Sequence, residues 1–110
     1  MPSSIVKIVV YVPESHADAV RKTMGDAGAG RIGNYSHCSF SSKGTGRYLP
    51  NEGAHPVIGK VGKYQEVPEV RIEMTCERVI LKKVISAMKE VHPYDEVAFY
   101  VYSLEDTNSY

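Results

Sequence analysis

Gly33-Asn34-Tyr35-Ser36-His37-Cys38-Ser39-Phe40 sets an imidazole and a thiol side by side after a glycine-rich turn, and His92-Pro93-Tyr94-Asp95 answers it near the other end of the chain. A glycine turn leading into β-compatible residues reads as a strand over residues 35–41. Successive side chains of a strand point to opposite faces, so Tyr35, His37 and Ser39 are expected on one face and Ser36, Cys38 and Phe40 on the other. Without a bulge, His37 and Cys38 cannot then ligate one metal together. The two motifs are better markers of a fold than of a ready-made active site.

On the N-terminal side, residues 5–12 (IVKIVVYV) form a nearly continuous β-branched run ended by Pro13, the pattern of a central strand buried on much of both faces. Ser15 is placed to cap a helix, with Asp18 in a capping-box position; Ala17, Val20, Met24 and Ala27 recur at helical spacing before Gly28 stops it. On the C-terminal side, residues 42–67 hold five glycines and two prolines and read as a long hairpin excursion with short extended pieces. Residues 69–76 form a third strand, with Val70, Ile72, Met74 and Cys76 on its core face. Residues 77–91 form a second helix with Leu81, Val84, Ile85 and Met88 on its buried stripe, ended by His92-Pro93. Residues 97–104 form the last strand. The order predicts an α+β, ferredoxin-like split βαβ fold: one antiparallel sheet, two helices on one face, and a long hairpin-like loop between strands 2 and 3.

The other sheet face carries Lys7, Val9, Tyr11, Arg71, Glu73, Tyr100 and Tyr102 if Phe99 and Val101 point inward. Three tyrosines and a valine there predict cover by another subunit, as a homodimer or homotrimer. A chain of 110 residues with 43% hydrophobic content is expected to be one domain over residues 1–110, small enough to gain stability by oligomerising. Thirteen basic residues balance thirteen acidic ones, so no net attraction draws it to nucleic acid or to an anionic membrane. Its apolar runs are too short to span a bilayer, and its N-terminus lacks the features of a secretory signal. A cytoplasmic location is expected, and two cysteines without paired spacing fit that reducing compartment.

Gly28-Ala29-Gly30-Arg31-Ile32-Gly33 matches GxGxxG, but here the glycines close a helix and open a strand, the reverse of a dinucleotide site. Gly59-Lys60-Val61-Gly62-Lys63 lacks the Ser or Thr of a phosphate loop. His37, Cys38, His55 and His92 are the metal-ligand candidates, joined by Cys76; imidazole and thiolate suit zinc or copper, although the spacing matches no compact zinc motif. Antiparallel pairing of strands 2 and 3 could set Cys38 opposite Cys76; the alternative is that both are small core residues. Ser36, His37, Cys38, Ser39, His92, Asp95 and Glu96 are candidates for acid-base or nucleophilic chemistry, yet nothing fixes a triad. Tyr35, His37, Gly30, Gly33, His92 and Tyr94 are the ligand-binding candidates. The amides of Gly30 and Gly33 could form an anion nest beside His37, so an anionic ligand is expected there; a histidine satisfied by a backbone carbonyl is the alternative.

At residues 28–50 (GAGRIGNYSHCSFSSKGTGRYLP), 53–74 (GAHPVIGKVGKYQEVPEVRIEM) and 92–104 (HPYDEVAFYVYSL), the chain closely resembles the domain inserted in the Nif-type interacting-factor proteins, the YqfO-like family of GTP cyclohydrolase I type 2 homologues. The resemblance implies a CutA- and P-II-like fold. It assigns the family's dinuclear metal centre to two flanking halves that this chain lacks, so no catalytic residue carries over. What it implies is a stand-alone version of a regulatory or oligomerising module; with the tyrosine-bearing sheet face and the neutral charge it leads to the expectation of a non-enzymatic oligomeric regulatory or binding module, and the length of the loop over residues 42–67 makes that segment the expected contact with a protein partner. A CutA-like divalent-metal protein using His37, Cys38, His55 or His92 is the first alternative. An enzyme acting on a small anionic substrate at a subunit interface is the second.

Overall fold

The β-branched N-terminal run forms β1 (Ile5–Pro13), one of the two central strands of a four-stranded antiparallel sheet in the computed structural model, which describes residues 3–110. The elements that follow are α1 (Ala17–Asp26), β2 (Phe40–Tyr48), β3 (Gln65–Glu77), α2 (Leu81–Val91) and β4 (Phe99–Ser103). The sheet order β2-β3-β1-β4, with both helices on one face, is the ferredoxin-like arrangement. Val6, Ile8, Val10 and Val12 meet Val70, Ile72, Met74 and Cys76 beneath Val20, Met24, Val84 and Met88, which form one core. No helix among the described residues is long and apolar enough to cross a membrane.

Both helices start from a single 3-10 turn, Glu14–His16 before α1 and Arg78–Ile80 before α2. The expected cap at Ser15 is not made: its hydroxyl bonds His16 Nδ1 at 2.8 Å, while Asp18 pairs with Arg21. Gly28 does end the first helical segment, at φ 115°.

The second strand begins later than its sequence suggests. Ile32 and Tyr35 exchange backbone hydrogen bonds in a turn, and His37 sits in the left-handed region at φ 59°, so face alternation does not apply to residues 35–39. Gly30 then takes the place beside β3 that a longer β2 would have filled. Its N–H donates to the Thr75 carbonyl at 2.6 Å and its carbonyl accepts the Cys38 N–H at 2.9 Å. Cys38 is thereby kept off the ladder and is not opposite Cys76; both thiols are free. A Cβ on Gly30, at φ 84°, would lie 2.5 Å from the Cys38 backbone N and O.

Much of the expected excursion is sheet. The β2–β3 ladder runs from Phe40↔Glu73 to Tyr48↔Gln65, which leaves residues 49–64 as the loop. β2 is almost wholly exposed, because only β3 pairs with it. This arm stretches the molecule to 50 × 28 × 23 Å, with a radius of gyration of 15.2 Å against about 13 Å for a compact chain of this length. Removing all of residues 42–67 would delete ladder and not only connection.

The register fixes the open sheet face. Tyr100 pairs with Val9 and Tyr102 with Lys7 on one side; Glu73 pairs with Val9 and Arg71 with Tyr11 on the other. Phe40 joins this face through Glu73. Lys7 Nζ lies 2.8 Å from Glu73 Oε1, and Tyr11 meets Tyr100 edge to face at 6.3 Å. Val9 is fully buried under these neighbours, whereas Tyr100 and Tyr102 are 53% and 48% exposed. Val101 faces the helix side opposite Ile8, partly exposed at the sheet edge.

Gly30→Ala should destabilise the fold by about 2 kcal/mol, because the new methyl group meets backbone that cannot move aside. Gly44→Ala, where nothing lies within 4 Å of the new Cβ, should be close to neutral. Urea denaturation of the two variants checks the contrast.

Candidate functional site

The site is built where the hairpin meets the segment after α2. Val91 ends α2, and His92 leaves it in an extended conformation, φ −72° and ψ 133°, which suits a residue before proline. The turn this creates aims His92 back at β1. Its Nε2 donates to the Tyr11 carbonyl at 2.7 Å, while its Nδ1 accepts the Tyr94 N–H at 3.1 Å. Those partners require the neutral Nε2–H tautomer. Burial pushes the His92 pKa down, against the opposing pull of the Tyr11 carbonyl and the Glu69 charge.

Tyr94 extends the chain of contacts. Its hydroxyl donates to Glu69 Oε2 at 3.0 Å, its ring lies 5.1 Å from the His92 ring, and Tyr48 approaches it edge-on at 5.9 Å. Burial, and then the neighbouring Glu69 carboxylate, push the Tyr94 phenol far above its ordinary pKa, so it stays a neutral donor. Glu69 lies on β3, opposite Gly44 and Pro13, and is only 8% exposed. Its carboxylate lies so close to Gly46 that any Cβ there would overlap Oε1.

Two more contacts fold the hairpin loop over this group. Tyr48 donates its hydroxyl to the Ile58 carbonyl at 2.7 Å, and the His55 N–H donates to Asp95 Oδ2 at 3.0 Å. Between loop and turn lies a cleft of about 610 Å³, floored by Glu69 and Tyr94 and walled by Tyr48, Pro50 and Tyr11.

Of the expected site residues, His92 and Tyr94 are brought together here, and His55 contributes its backbone. Gly30, Gly33, Tyr35 and His37 lie towards the far end of β3, six ladder positions from Glu69 to Thr75, about 20 Å of strand. Gly30 cannot serve an anion nest, since its N–H is spent on Thr75. Tyr35 is 75% exposed. His37 bonds Ser36 Oγ through Nδ1 at 2.9 Å and Asp26 Oδ1 through Nε2 at 2.9 Å, so its partners are side chains and not a backbone carbonyl. Lys22, and then His37, hold the Asp26 carboxyl below its usual range. This Ser-His-Asp chain lies open to solvent, with nothing to exclude water from it.

The metal candidates do not converge. Among the described residues no three His, Cys, Asp or Glu side chains form a group able to hold an ion. His92 Nδ1 already accepts a backbone N–H, and Cys38 Sγ points to the Ser36 carbonyl at 3.9 Å. Glu69, Tyr48 and Gly46 were not legible as site residues. Glu69 shares the strand face of Arg71 and Glu73, and alternation alone cannot distinguish it from them.

No protein-family model matches the chain. The GTP cyclohydrolase 1 type 2 homolog of Bacillus subtilis is 50% identical over 101 residues, which make up 92% of this chain and 27% of the relative. That of Mycobacterium tuberculosis is 46% identical over 98 residues, 89% of this chain and 26% of the relative. The chain thus spans about a quarter of the length of the curated relatives it matches. A Bacillus cereus protein related to NIF3 superposes with a TM-score of 0.82 at 50% identity, over 96% of this chain and 27% of that one. CutA1 from Pyrococcus horikoshii superposes with a TM-score of 0.69 at 20% identity, over 94% of this chain and 86% of that one, a likeness of fold alone. The chain is a homologue of one segment of the NIF3-related proteins.

Because burial holds the His92 pKa below its ordinary 6.5, the unfolded chain binds the proton more readily. Stability should therefore be full above about pH 6.5 and fall as the pH drops below it. Protonation would also set an Nδ1–H against the Tyr94 N–H. His92→Gln should be less stable at neutral pH but lose less on going to about pH 5. Urea midpoints of both proteins across that range check the sign.

Proposed function

We propose that this homologue of one segment of the GTP cyclohydrolase 1 type 2 homologs is a self-associating binding module that holds a small ligand in the cleft under its hairpin without turning it over. The observation that carries the reading is Glu69, a buried carboxylate met by a neutral phenol and opening onto a cleft of ligand size. Absence of turnover is supported by the engagement of both His92 nitrogens, which leaves the imidazole no free position as a base. Cys76 is buried in the core, and that burial raises its thiol pKa, away from the thiolate that chemistry needs. The cyclohydrolase activity in the relatives' name is not assigned to a quarter of their length.

Self-association, as a dimer or trimer, is supported by the row of Phe40, Tyr100 and Tyr102 on the open face and by the unpaired outer edges of β2 and β4. Burying such surface stabilises by about 25 cal/mol per Å². The hairpin over residues 42–67, whose open loop is residues 49–64, is the contact element for a protein partner. Two free thiols fit a reducing compartment, and so a cytoplasmic setting for one ferredoxin-like unit.

Sedimentation at micromolar concentration should give a dimer or trimer, and Tyr100→Glu combined with Tyr102→Glu should release monomers. A monomeric mass for the parent protein throughout would contradict self-association. For the cleft, the low-molecular-weight fraction of a cell extract should shift NMR resonances of Tyr48, Tyr94 and Ala98 in the parent protein, with Tyr48→Ala abolishing the shifts. No movement at these residues would contradict ligand binding.

A further inference from the structure

We infer that the cleft selects a small organic cation, an amine or guanidinium, with Glu69 as its counter-ion. This deepens the binding reading above and rests on it. Glu52, Glu69, Asp95 and Glu96 line the cleft against one base, Arg47. Arg47 is answered elsewhere: its Nε lies 3.6 Å from Glu66 on the neighbouring strand. The cleft lining is thus acidic in a chain that is neutral overall, with Lys60 and Lys63 on the loop and Lys89 beside Asp95 and Glu96 outside that lining.

Glu69 is the informative member of that group. A carboxylate has about four lone-pair positions, and the hydrogen bond found on this one comes from the Tyr94 hydroxyl to Oε2. Glu69 is 8% exposed as a residue, yet its Oε1 carries no hydrogen bond and is not closed off from the surface, so its lone pairs are left for a cation to meet. His92 cannot be that cation, since a proton on Nδ1 would oppose the Tyr94 N–H. Oε1 lies against Gly46, on the side lined by the cleft.

The walls fit the same class of ligand. Tyr11, Tyr48 and Tyr94 all line the cleft, with Tyr48 and Tyr94 edge to face with each other, so three aromatic rings surround it. Aromatic faces beside buried negative charge attract organic cations through the ring quadrupole and repel anions. A guanidinium can also give a carboxylate two parallel hydrogen bonds, which a hydrated metal ion does not. An anionic ligand, expected near His37 from the sequence, has no counterpart in this cleft.

The test titrates the full chain with butylguanidinium, with butylurea as its neutral counterpart, and with inorganic phosphate, following Tyr48 and Tyr94 by NMR. Butylguanidinium should bind at least about tenfold more tightly than butylurea, and phosphate should leave these residues unmoved. Glu69→Gln keeps the acceptor for Tyr94 and nearly the same shape, so it should stay folded and lose the preference for the charged probe. Gly46→Ala, which pushes the carboxylate aside, should weaken the same probe while leaving the charge in the protein. Equal affinity for butylurea, or shifts of the same residues by phosphate, would overturn the cation and leave the binding reading standing. No response to butylguanidinium would also overturn it, with the extract titration then deciding the binding reading separately. A preference for the cation that survives Glu69→Gln would overturn the role of Glu69.

Discussion

His92 joins two parts of the chain that local sequence preferences would leave independent. One nitrogen grips the carbonyl of Tyr11 on the central strand, and the other receives the amide of Tyr94 two residues on. The imidazole thereby fixes where the chain goes after α2 and which way the Tyr94 ring points. Tyr94 in turn places a hydroxyl on Glu69, and Asp95 reaches the His55 amide of the hairpin loop. A buried hydrogen bond contributes about 1 kcal/mol net, but leaving such groups unpaired costs more. The turn and the hairpin loop are therefore tied together by the polar contacts of His92, Tyr94 and Asp95, whereas the core beneath the helices is held by apolar burial.

Element order was readable because β3 and both helices are buried on one side, which imposes a period that sequence displays, and because β1, central and buried on much of both faces, is a continuous β-branched run. The faces of β1, β3 and β4 followed from the same alternation, and the register agrees with them. β2 was not readable in that way. Its residues, FSSKGTGRY, are nearly all exposed on an edge strand, so no hydrophobic period marks it and the ladder depends on its partner. Sequence pattern starts this strand too early, because a left-handed His37 carries no sequence mark, unlike the glycines around it.

The candidate site was half legible for a related reason. His92-Pro93-Tyr94 stands out as a turn motif, and its two candidate side chains are the ones the structure brings together. Glu69 looks in sequence like any solvated strand residue. Its carboxylate is met by Gly46 on the neighbouring strand and by the Tyr94 hydroxyl from the segment after α2, long-range contacts with no local signal. Gly46 reads as a weak spot in a strand until the carboxylate beside it is seen.

Glu69, set under the hairpin beside Tyr48 and Tyr94, is the proposed counter-ion of a positively charged ligand. A crystal structure of protein purified quickly and without dialysis tests it most directly. The account predicts ordered density within hydrogen-bond reach of the Glu69 carboxylate, between the Tyr48 and Tyr94 rings. An unfilled cleft with Glu69 swung out to solvent and its bond to Tyr94 broken would contradict it.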